Sequence, residues 1–472
     1  MNLLDYTNFY LVGIKGVAMT SLAGCLLDAG KKVAGSDLAE DFVTQEQLSK
    51  FNLPIDTNFN QEIPGGVDCV IYTAAHQGKQ NLQVQQALQR QLPIFSQAEA
   101  LGLLFNQKKG VAVCGVGGKS TVSAMIAWIL EKNQIPASYS VGVGSIIGLE
   151  KTGKWQDDAT YFVAEADEYV INPEEVKEGK APIPRFSFLN PFVTVCTNLK
   201  FDHPDVYQNF DQTKEAFGNF FSQIKEGGQL IINANQQQEI VKLLQGKELN
   251  LSLTTFGTMP LADWQLLNCE VRDGATINHF KFQETNYQFL LKIPGVYNSL
   301  NALAAIAASY QLGVTVDQAI QALSSFQSTK RRFEFIKKKH QVAFYDDYAH
   351  HPDEIKVVVK ALTAMFPDKR LLIAFQPHTF SRTKALFSQF VAALSPVDNL
   401  ILLDIFASAR ESADDSISSQ MLAQEVKKLN QKEIMVLADY QQLADYLLKN
   451  IQPEDVVLTL GAGDIYKVHQ II

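Results

Sequence analysis

Short apolar runs recur along the chain, each closed by glycine or polar residues and followed by a stretch with apolar positions every three to four residues. This alternation predicts strands and helices in turn. Phe9-Tyr10-Leu11-Val12 reads as a strand, Gly13-Ile14-Lys15-Gly16 as a turn, the stretch through Leu27 as a helix stopped by Gly30, and Val33-Ala34 as a second strand leading to Asp37. Asp68-Cys69-Val70-Ile71-Tyr72 adds a buried strand, with Thr73-Ala74-Ala75-His76 at its carboxyl end. Further on, Val111-Ala112-Val113-Cys114 precedes a helix beginning near Ser120, whose Val122, Met125, Ile126, Ile129 and Leu130 share one face. Tyr161-Phe162-Val163-Ala164 and Val193-Thr194-Val195-Cys196 are strands beside it. From residue 328 onward, strand cores fall at about 342 to 345, 371 to 375, 400 to 403, 434 to 437 and 456 to 460, with helices between. The pattern predicts an α/β protein of three domains: a Rossmann-like one over 1–107, a central α/β domain over 108–327, and a Rossmann-like open sheet over 328–472.

The polar residues cluster where such sheets bind ligands, at the carboxyl ends of strands. Gly115-Val116-Gly117-Gly118-Lys119-Ser120-Thr121 joins a strand to a helix. Glycines let backbone N–H groups converge on an anion, the helix start adds partial positive charge, Lys119 adds a full one, and Ser120 can ligate Mg²⁺. A nucleoside triphosphate is the expected ligand, which makes 108–327 a phosphate-loop ATPase domain, although the generic loop pattern has glycine where this chain has Val113. Glu165-Ala166-Asp167-Glu168 and Thr197-Asn198 with Asp202-His203 follow the next two strand runs, and carboxylates there suit Mg²⁺. By residue type alone His203 reads more readily as a core histidine, or one beside the ligands, than as a ligand. The first turn retains only part of a dinucleotide fingerprint, since positions 15 and 18 are Lys and Ala. A nucleotide diphosphate other than a redox cofactor is therefore the better reading. In the last region Asp346-Asp347-Tyr348-Ala349-His350-His351, Gln376-Pro377-His378 with Ser381-Arg382, Asp404, and Gly461-Ala462-Gly463-Asp464 all follow strands.

Composition narrows the class. At 472 residues and 46% apolar content the chain can build about three cores. Its net charge of −9 argues against a nucleic-acid partner. No apolar run is long enough to span a bilayer and the amino terminus lacks a leader pattern, so a cytoplasmic protein with no membrane partner is expected. The five cysteines are scattered and read as small core residues.

Taken together, these motifs resemble the Mur ligases, cytoplasmic enzymes that build the peptide of bacterial cell-wall precursors. The loop at 115–121 resembles their ATP loop, Glu165-Ala166-Asp167-Glu168 their acidic metal motif, and Thr197 to His203 their T-N-x-x-x-D-H segment. Gly295-Val296-Tyr297-Asn298 with Asn301-Ala302 is similar to their G-x-H-N-x-x-N-A element, and Arg331-Arg332-Phe333-Glu334 to their R-R-F-E element. Asp346 to Pro352 and Phe375 to Arg382 look most like the members that add L-alanine to UDP-N-acetylmuramate. Members that recycle a preformed tripeptide share part of this pattern, and Tyr169 leans toward them. Tyr297, Val116 and Gly117 depart from the family's usual residues, and 172–186 is unlike its common pattern.

The resemblance implies ligation through an acyl phosphate, with ATP and Mg²⁺ as cofactors, UDP-N-acetylmuramate and L-alanine as small-molecule partners, and a monomer or homodimer. It implies catalytic roles for Lys119, His203, Arg332 and Asp347, and metal contacts from Ser120, Glu165 and His203. ATP would be held by residues 115–121 with Asn298, Asn301, Arg332 and Asp347. The UDP-sugar would meet Gly13, Ile14, Lys15, Gly16, Asp37, Ala74 and His76, and the amino acid His350, His351, His378 and Arg382. Domain closure would bring the groups together. A non-catalytic nucleotide-binding relative of the family is the reading from another class. An NAD-linked oxidoreductase fits only the first domain.

Overall fold

The computed structural model describes residues 2–272, 275–407 and 413–472. Three sheets are present, and they fall into two compact units. The first unit holds 1–270, 277–292 and 298–330, and the second holds 331–472 with the short segments 271–276 and 293–297.

In the first unit, five parallel strands run in the order Ile55–Asp56, Lys32–Ser36, Asn8–Val12, Cys69–Tyr72, Ile94–Ser96. The order reverses between Asn8–Val12 and Cys69–Tyr72, which opens a crevice at their carboxyl ends. The two edge strands were not expected, because two or three residues show no periodicity. The helix Val17–Asp28 covers one face and also packs toward the next sheet: Ser21 and Ser140 hydroxyls meet at 2.8 Å, and Cys25 Sγ donates to the Tyr139 carbonyl at 3.4 Å. A Cβ at Gly24 would lie 2.6 Å from the Gly153 carbonyl oxygen, so the approach is as close as glycine allows. Leu22, Leu26, Phe105, Phe162 and Cys196 accordingly belong to one continuous core. The expected boundary at 107/108 thus lies inside a single packed unit, where Lys108 Nζ donates to the carbonyls of Gln156, Asp157 and Ala159.

The second sheet has ten strands. Lys109–Cys114 lies within it, flanked in parallel by Val193–Cys196 and Tyr161–Glu165. The register pairs Cys114 with Cys196 and Val113 with Glu165, so the phosphate loop, Thr197 and Glu165 leave the sheet side by side. The sheet continues through Gly228–Asn233, Leu251–Gly257, Trp264–Arg272, Ala275–Phe282 and Thr285–Leu291, none of them expected from the sequence.

In the second unit six strands run in the order Glu334–Lys339, Val342–Asp347, Val456–Leu460, Leu371–Phe375, Asn399–Leu403, Met435–Leu437, with only the first antiparallel. Tyr345, Ile373, Phe375 and Leu458 face one core, and Phe344, Leu372, Ala374 and Val457 face another. Burial on both faces explains why these strands read as continuous apolar runs. Among the described residues no helix is long and apolar enough to cross a membrane.

Candidate active site

The strand Lys109–Cys114 ends in a loop shaped by two glycines with positive φ, Gly115 at 121° and Gly118 at 85°. A Cβ on Gly115 would sit 2.7 Å from the Asn198 carbonyl oxygen, and one on Gly118 would sit 2.5 Å from Asn301 Oδ1. Glycine is therefore required at both places on two grounds, backbone conformation and space. The loop is held by the next strand's end: Asn198 Oδ1 accepts from the Val116 N–H at 2.9 Å, and Asn198 Nδ2 and Thr197 Oγ1 donate to the Gly117 carbonyl at 3.2 and 2.5 Å. The Thr197-Asn198 pair is thus a brace for the loop. Gly118 caps the helix Lys119–Lys132, with Ser120 and Thr121 buried in its first turn. Asn301 lies in the helix Val296–Gln311, 3.5 Å from Asn298, so the two asparagines and the loop are neighbours.

Lys119 Nζ meets Glu168 at 2.9 and 3.1 Å and approaches Asp167 at 4.0 Å. Burial opposes its charge, yet Glu168, Asp167 and Glu165 together raise its pKa above the ordinary lysine value. Glu168 is also 3.6 Å from His203 Nε2, and the Tyr207 hydroxyl donates to its backbone carbonyl at 2.6 Å. Asp167 receives Arg185 Nη1 at 2.8 Å and the Tyr169 N–H at 3.3 Å. Burial works against the Asp167 charge, but Arg185, Lys119, His203 and the Tyr169 N–H outweigh it and hold the carboxyl at about 2. His203 sits at a φ of 58°, with its N–H on Asp202 Oδ1 at 2.7 Å and its ring against Tyr169 at 4.8 Å.

Asp167, Glu168 and His203 offer ligand atoms within 4.8 Å of one another. Two carboxylates and one imidazole can hold a divalent ion, and the two carboxylates supply the oxygens that Mg²⁺ prefers, so the donor set fits Mg²⁺. The grouping differs from the expected Ser120, Glu165 and His203. Glu165 is the last residue of its strand, and its Oε1 accepts the Gly142 N–H at 2.8 Å. The sequence reading assigned Arg185 no role; it lies in the segment 172–186 that fitted no pattern.

At the switch point of the first sheet, Gly13 takes a φ of 86°, and its N–H and that of Ile14 donate to the Ser36 carbonyl at 2.8 and 3.1 Å. Gly16 caps Val17–Asp28 with no side-chain hydrogen bond. Asp37 is buried and accepts the N–H groups of Lys15 and Leu38 at 2.7 and 2.8 Å; His76 Nε2 is 3.6 Å away. Burial raises the Asp37 pKa above the usual carboxylate value. The Lys15 ammonium is committed to the carbonyls of Leu38 and Glu40, both at 2.7 Å. His76 stacks near Phe59, and Ala74 lies in the same loop.

In the second unit, Arg331 is buried against Asp346 at 2.9 Å and donates to the carbonyls of Gly461 and Gly463, which fixes this strand end. Arg332 lies over the Tyr348 ring at 4.9 Å. Asp347 accepts from the Phe333 and Ala349 N–H groups, both at 2.7 Å, and burial, only partly offset by Arg332, lifts its pKa to about 7. The rings of His350 and His378 are 6.0 Å apart, Arg382 Nη1 is 3.5 Å from His378 Nδ1, and His378 stacks on Phe406 at 5.6 Å. Phe406, which sequence reading did not single out, has no motif around it. His351, expected at the amino-acid end, has a structural task as well: its ring Nδ1 accepts the Asp353 N–H at 3.2 Å and caps the helix Pro352–Met365, with Glu354 completing a capping box.

A glycine-shaped loop ending in a lysine beside carboxylates is the arrangement of a phosphate-handling enzyme, and family comparison gives the class. Residues 8–109 match the Mur ligase family catalytic domain, 113–309 the Mur ligase middle domain, and 331–463 the Mur ligase glutamate ligase domain. The chain belongs to the Mur ligase family. It is 35% identical, over 98% of each chain, to the UDP-N-acetylmuramate–L-alanine ligase of Desulfitobacterium hafniense strain Y51. In fold it is similar to the crystal structure of the UDP-N-acetylmuramate–alanine ligase MurC from Thermotoga maritima, with a TM-score of 0.79 and 23% identity over 99% of this chain and 98% of that one. It is also similar to a murein peptide ligase from Psychrobacter arcticus 273-4, with a TM-score of 0.70 and 21% identity over 98% of each.

Proposed function

We propose that this chain joins L-alanine to UDP-N-acetylmuramate at the expense of ATP, a step in making peptidoglycan precursors. The observation that carries the reading is a glycine-shaped phosphate loop whose Lys119 reaches a half-buried cluster of Asp167, Glu168 and His203, in a chain similar end to end to L-alanine ligases. The carboxylate oxygen of UDP-N-acetylmuramate attacks the γ-phosphorus of ATP, the bond to ADP breaks, and an acyl phosphate forms. The amine of L-alanine then attacks the acyl carbon, phosphate leaves, and the amine loses its proton.

Bound Mg²⁺ would offset phosphate charge, with Ser120, Glu165 and His203 as its proposed ligands and Asp167 and Glu168 beside them. Lys119 moves from Glu168 to the transferred phosphate, stabilising charge as it builds. Asn298 and Asn301 offer donor and acceptor amides to the adenine end of ATP. Gly13, Ile14, Lys15, Gly16, Asp37, Ala74 and His76 receive the UDP-sugar, with the turn's backbone rather than the committed Lys15 ammonium meeting its phosphates. Arg382 takes the amino-acid carboxylate, and His350 or His378 accepts the amine's proton. Arg332 and Asp347 serve the nucleotide. The segments 1–107, 108–327 and 328–472 are then the UDP-sugar, ATP and amino-acid domains of a cytoplasmic monomer or homodimer.

Phosphate release from ATP and Mg²⁺ with UDP-N-acetylmuramate tests this, with L-alanine and L-alanyl-γ-D-glutamyl-diaminopimelate as rival acceptors. Release with L-alanine alone is expected. Release with only the tripeptide would make the chain a recycling ligase, the direction in which Tyr169 leans, and silence with both would make it a nucleotide-binding relative without chemistry.

A further inference from the structure

The segment after Tyr169 forms a closed strap. Its neck is an antiparallel bridge between Val170 and Pro184, with the Ile171 N–H on the Ile183 carbonyl at 2.9 Å and the Arg185 N–H on the Tyr169 carbonyl at 2.8 Å. Asn172 locks it from within: its Oδ1 accepts the Ile183 N–H at 3.0 Å and its Nδ2 donates to the Ala181 carbonyl at 3.1 Å. Pro173–Lys177 forms a short helix at the far end. The strap therefore leaves the acidic motif and returns to it. On return, the Phe186 N–H donates to the Asp167 carbonyl at 3.0 Å, the Arg185 guanidinium lies over the Tyr169 ring at 5.3 Å, and its Nη1 grips Asp167 Oδ2 at 2.8 Å.

The other Asp167 oxygen receives the Tyr169 N–H at 3.3 Å and is 4.0 Å from Lys119. Both oxygens thus face donors before any ion arrives. Glu168, by contrast, is engaged by Lys119 at 2.9 Å and stands 3.6 Å from His203 Nε2.

We infer that Arg185 is a positioning residue, delivered by the strap, that holds Asp167 by Oδ2 and withholds it from divalent ions, so that the cluster waits for metal brought with nucleotide instead of filling by itself. A guanidinium at 2.8 Å occupies the lone pairs a cation would use and repels that cation by its charge. It also keeps Asp167 from closing on Lys119, which must leave for the phosphate during transfer. The inference rests on the ligase reading for its purpose, but the arrangement can be tested without turnover.

Titrating nucleotide-free protein with Mn²⁺, read by the free-ion electron paramagnetic resonance signal, is the decisive experiment. R185Q should bind Mn²⁺ about tenfold more tightly than the parent, from loss of one nearby positive charge, and R185K, which keeps the charge but loses the planar group over Tyr169, should fall between the two. In steady state R185Q should lose about tenfold or more in kcat with the KM for L-alanine unchanged, because Lys119 and Asp167 are misplaced while the amino-acid groups are untouched. A Mn²⁺ titration of R185Q that overlays the parent overturns the inference whatever the activity. If R185Q does not fold, D167N in the parent decides: loss of one nearby negative charge alone weakens Mn²⁺ binding by about tenfold at most, the mirror of the R185Q effect, and a weakening of about a hundredfold or more would show Asp167 to be a ligand and sink the idea. A chain inactive with every acceptor but showing the R185Q effect would cost the ligase reading and leave the strap's role standing.

Discussion

Replacing Lys119 with Met would remove the cation from a pair that is almost dry on one side: the Glu168 side chain is 1% exposed and that of Lys119 15%. Two unit charges 2.9 Å apart attract by about 6 kcal/mol at an effective dielectric of about 20. The cost of burying both offsets part of that. What remains after deletion is a carboxylate held in a cavity built for a cation, and breaking such a pair costs about 3–5 kcal/mol. K119M should therefore lose at least about 3 kcal/mol, the low end of that range. For a unit of about 320 residues, an unfolding entropy near 2 cal/mol/K per residue converts that into a melting temperature lower by about 5 °C. Scanning calorimetry without nucleotide reads it. Adding E168Q to K119M removes the stranded charge and should recover at least about half of the loss, while neither variant turns over, since the phosphate still lacks its cation. A K119M protein that melts within about 1 °C of the parent, or a double variant no more stable than K119M, would refute the buried-pair argument. Turnover by K119M at the parent rate would remove the phosphate-loop assignment itself.

Two buried groups in the second unit should tilt its stability in opposite directions. Asp347, lifted to about 7 chiefly by burial, binds its proton more tightly folded than unfolded. Its favourable contribution is full below about pH 4 and lost as pH rises toward 7, an effect of up to about 4 kcal/mol. His469, pushed down to about 4 by burial against the opposing pull of Asp346, contributes fully above about pH 6.5 and loses up to about 3 kcal/mol as pH falls to 4. In urea titrations from pH 4.5 to 8, D347N should retain only the acid loss and H469Q only the decline with rising pH; parallel curves for parent and variants would exclude these assignments. At the amino-acid end, H351A should cost about 1 kcal/mol of stability as a lost helix cap and leave the KM for L-alanine unchanged. R382A should raise that KM about a hundredfold, the worth of a buried charge-assisted contact of about 3 kcal/mol. Equal KM effects from the two would return His351 to the substrate.

The parts of this molecule legible in the sequence are those where chemistry follows directly on a strand. Gly115 to Thr121 follows Lys109–Cys114, Glu165 ends Tyr161–Glu165, and Thr197 follows Val193–Cys196, so sheet register alone gathers them. In the second unit the apolar runs were visible because both faces of the sheet are buried, whereas the edge strand Glu334–Lys339 carries three lysines and hid. What the sequence concealed depends on where the chain goes after the strand ends. Glu165 and Glu168 are three residues apart and chemically equivalent on paper. One ends on the Gly142 amide and the other on Lys119, because the backbone beyond Glu165 is turned and pinned by Tyr207 and by the returning strap. Arg185 is 18 residues from the carboxylate it grips, with no periodicity between them, so only closure of the strap reveals it. His351 hid a second task for the opposite reason: it sits in a run of motif residues, yet its spacing to Pro352 and Glu354 is that of a helix cap. Spacing to the nearest element was the better guide there, and the same test, applied to Asn172 with its two backbone partners across the strap neck, marks 172–186 as built structure whose purpose is the residue it delivers.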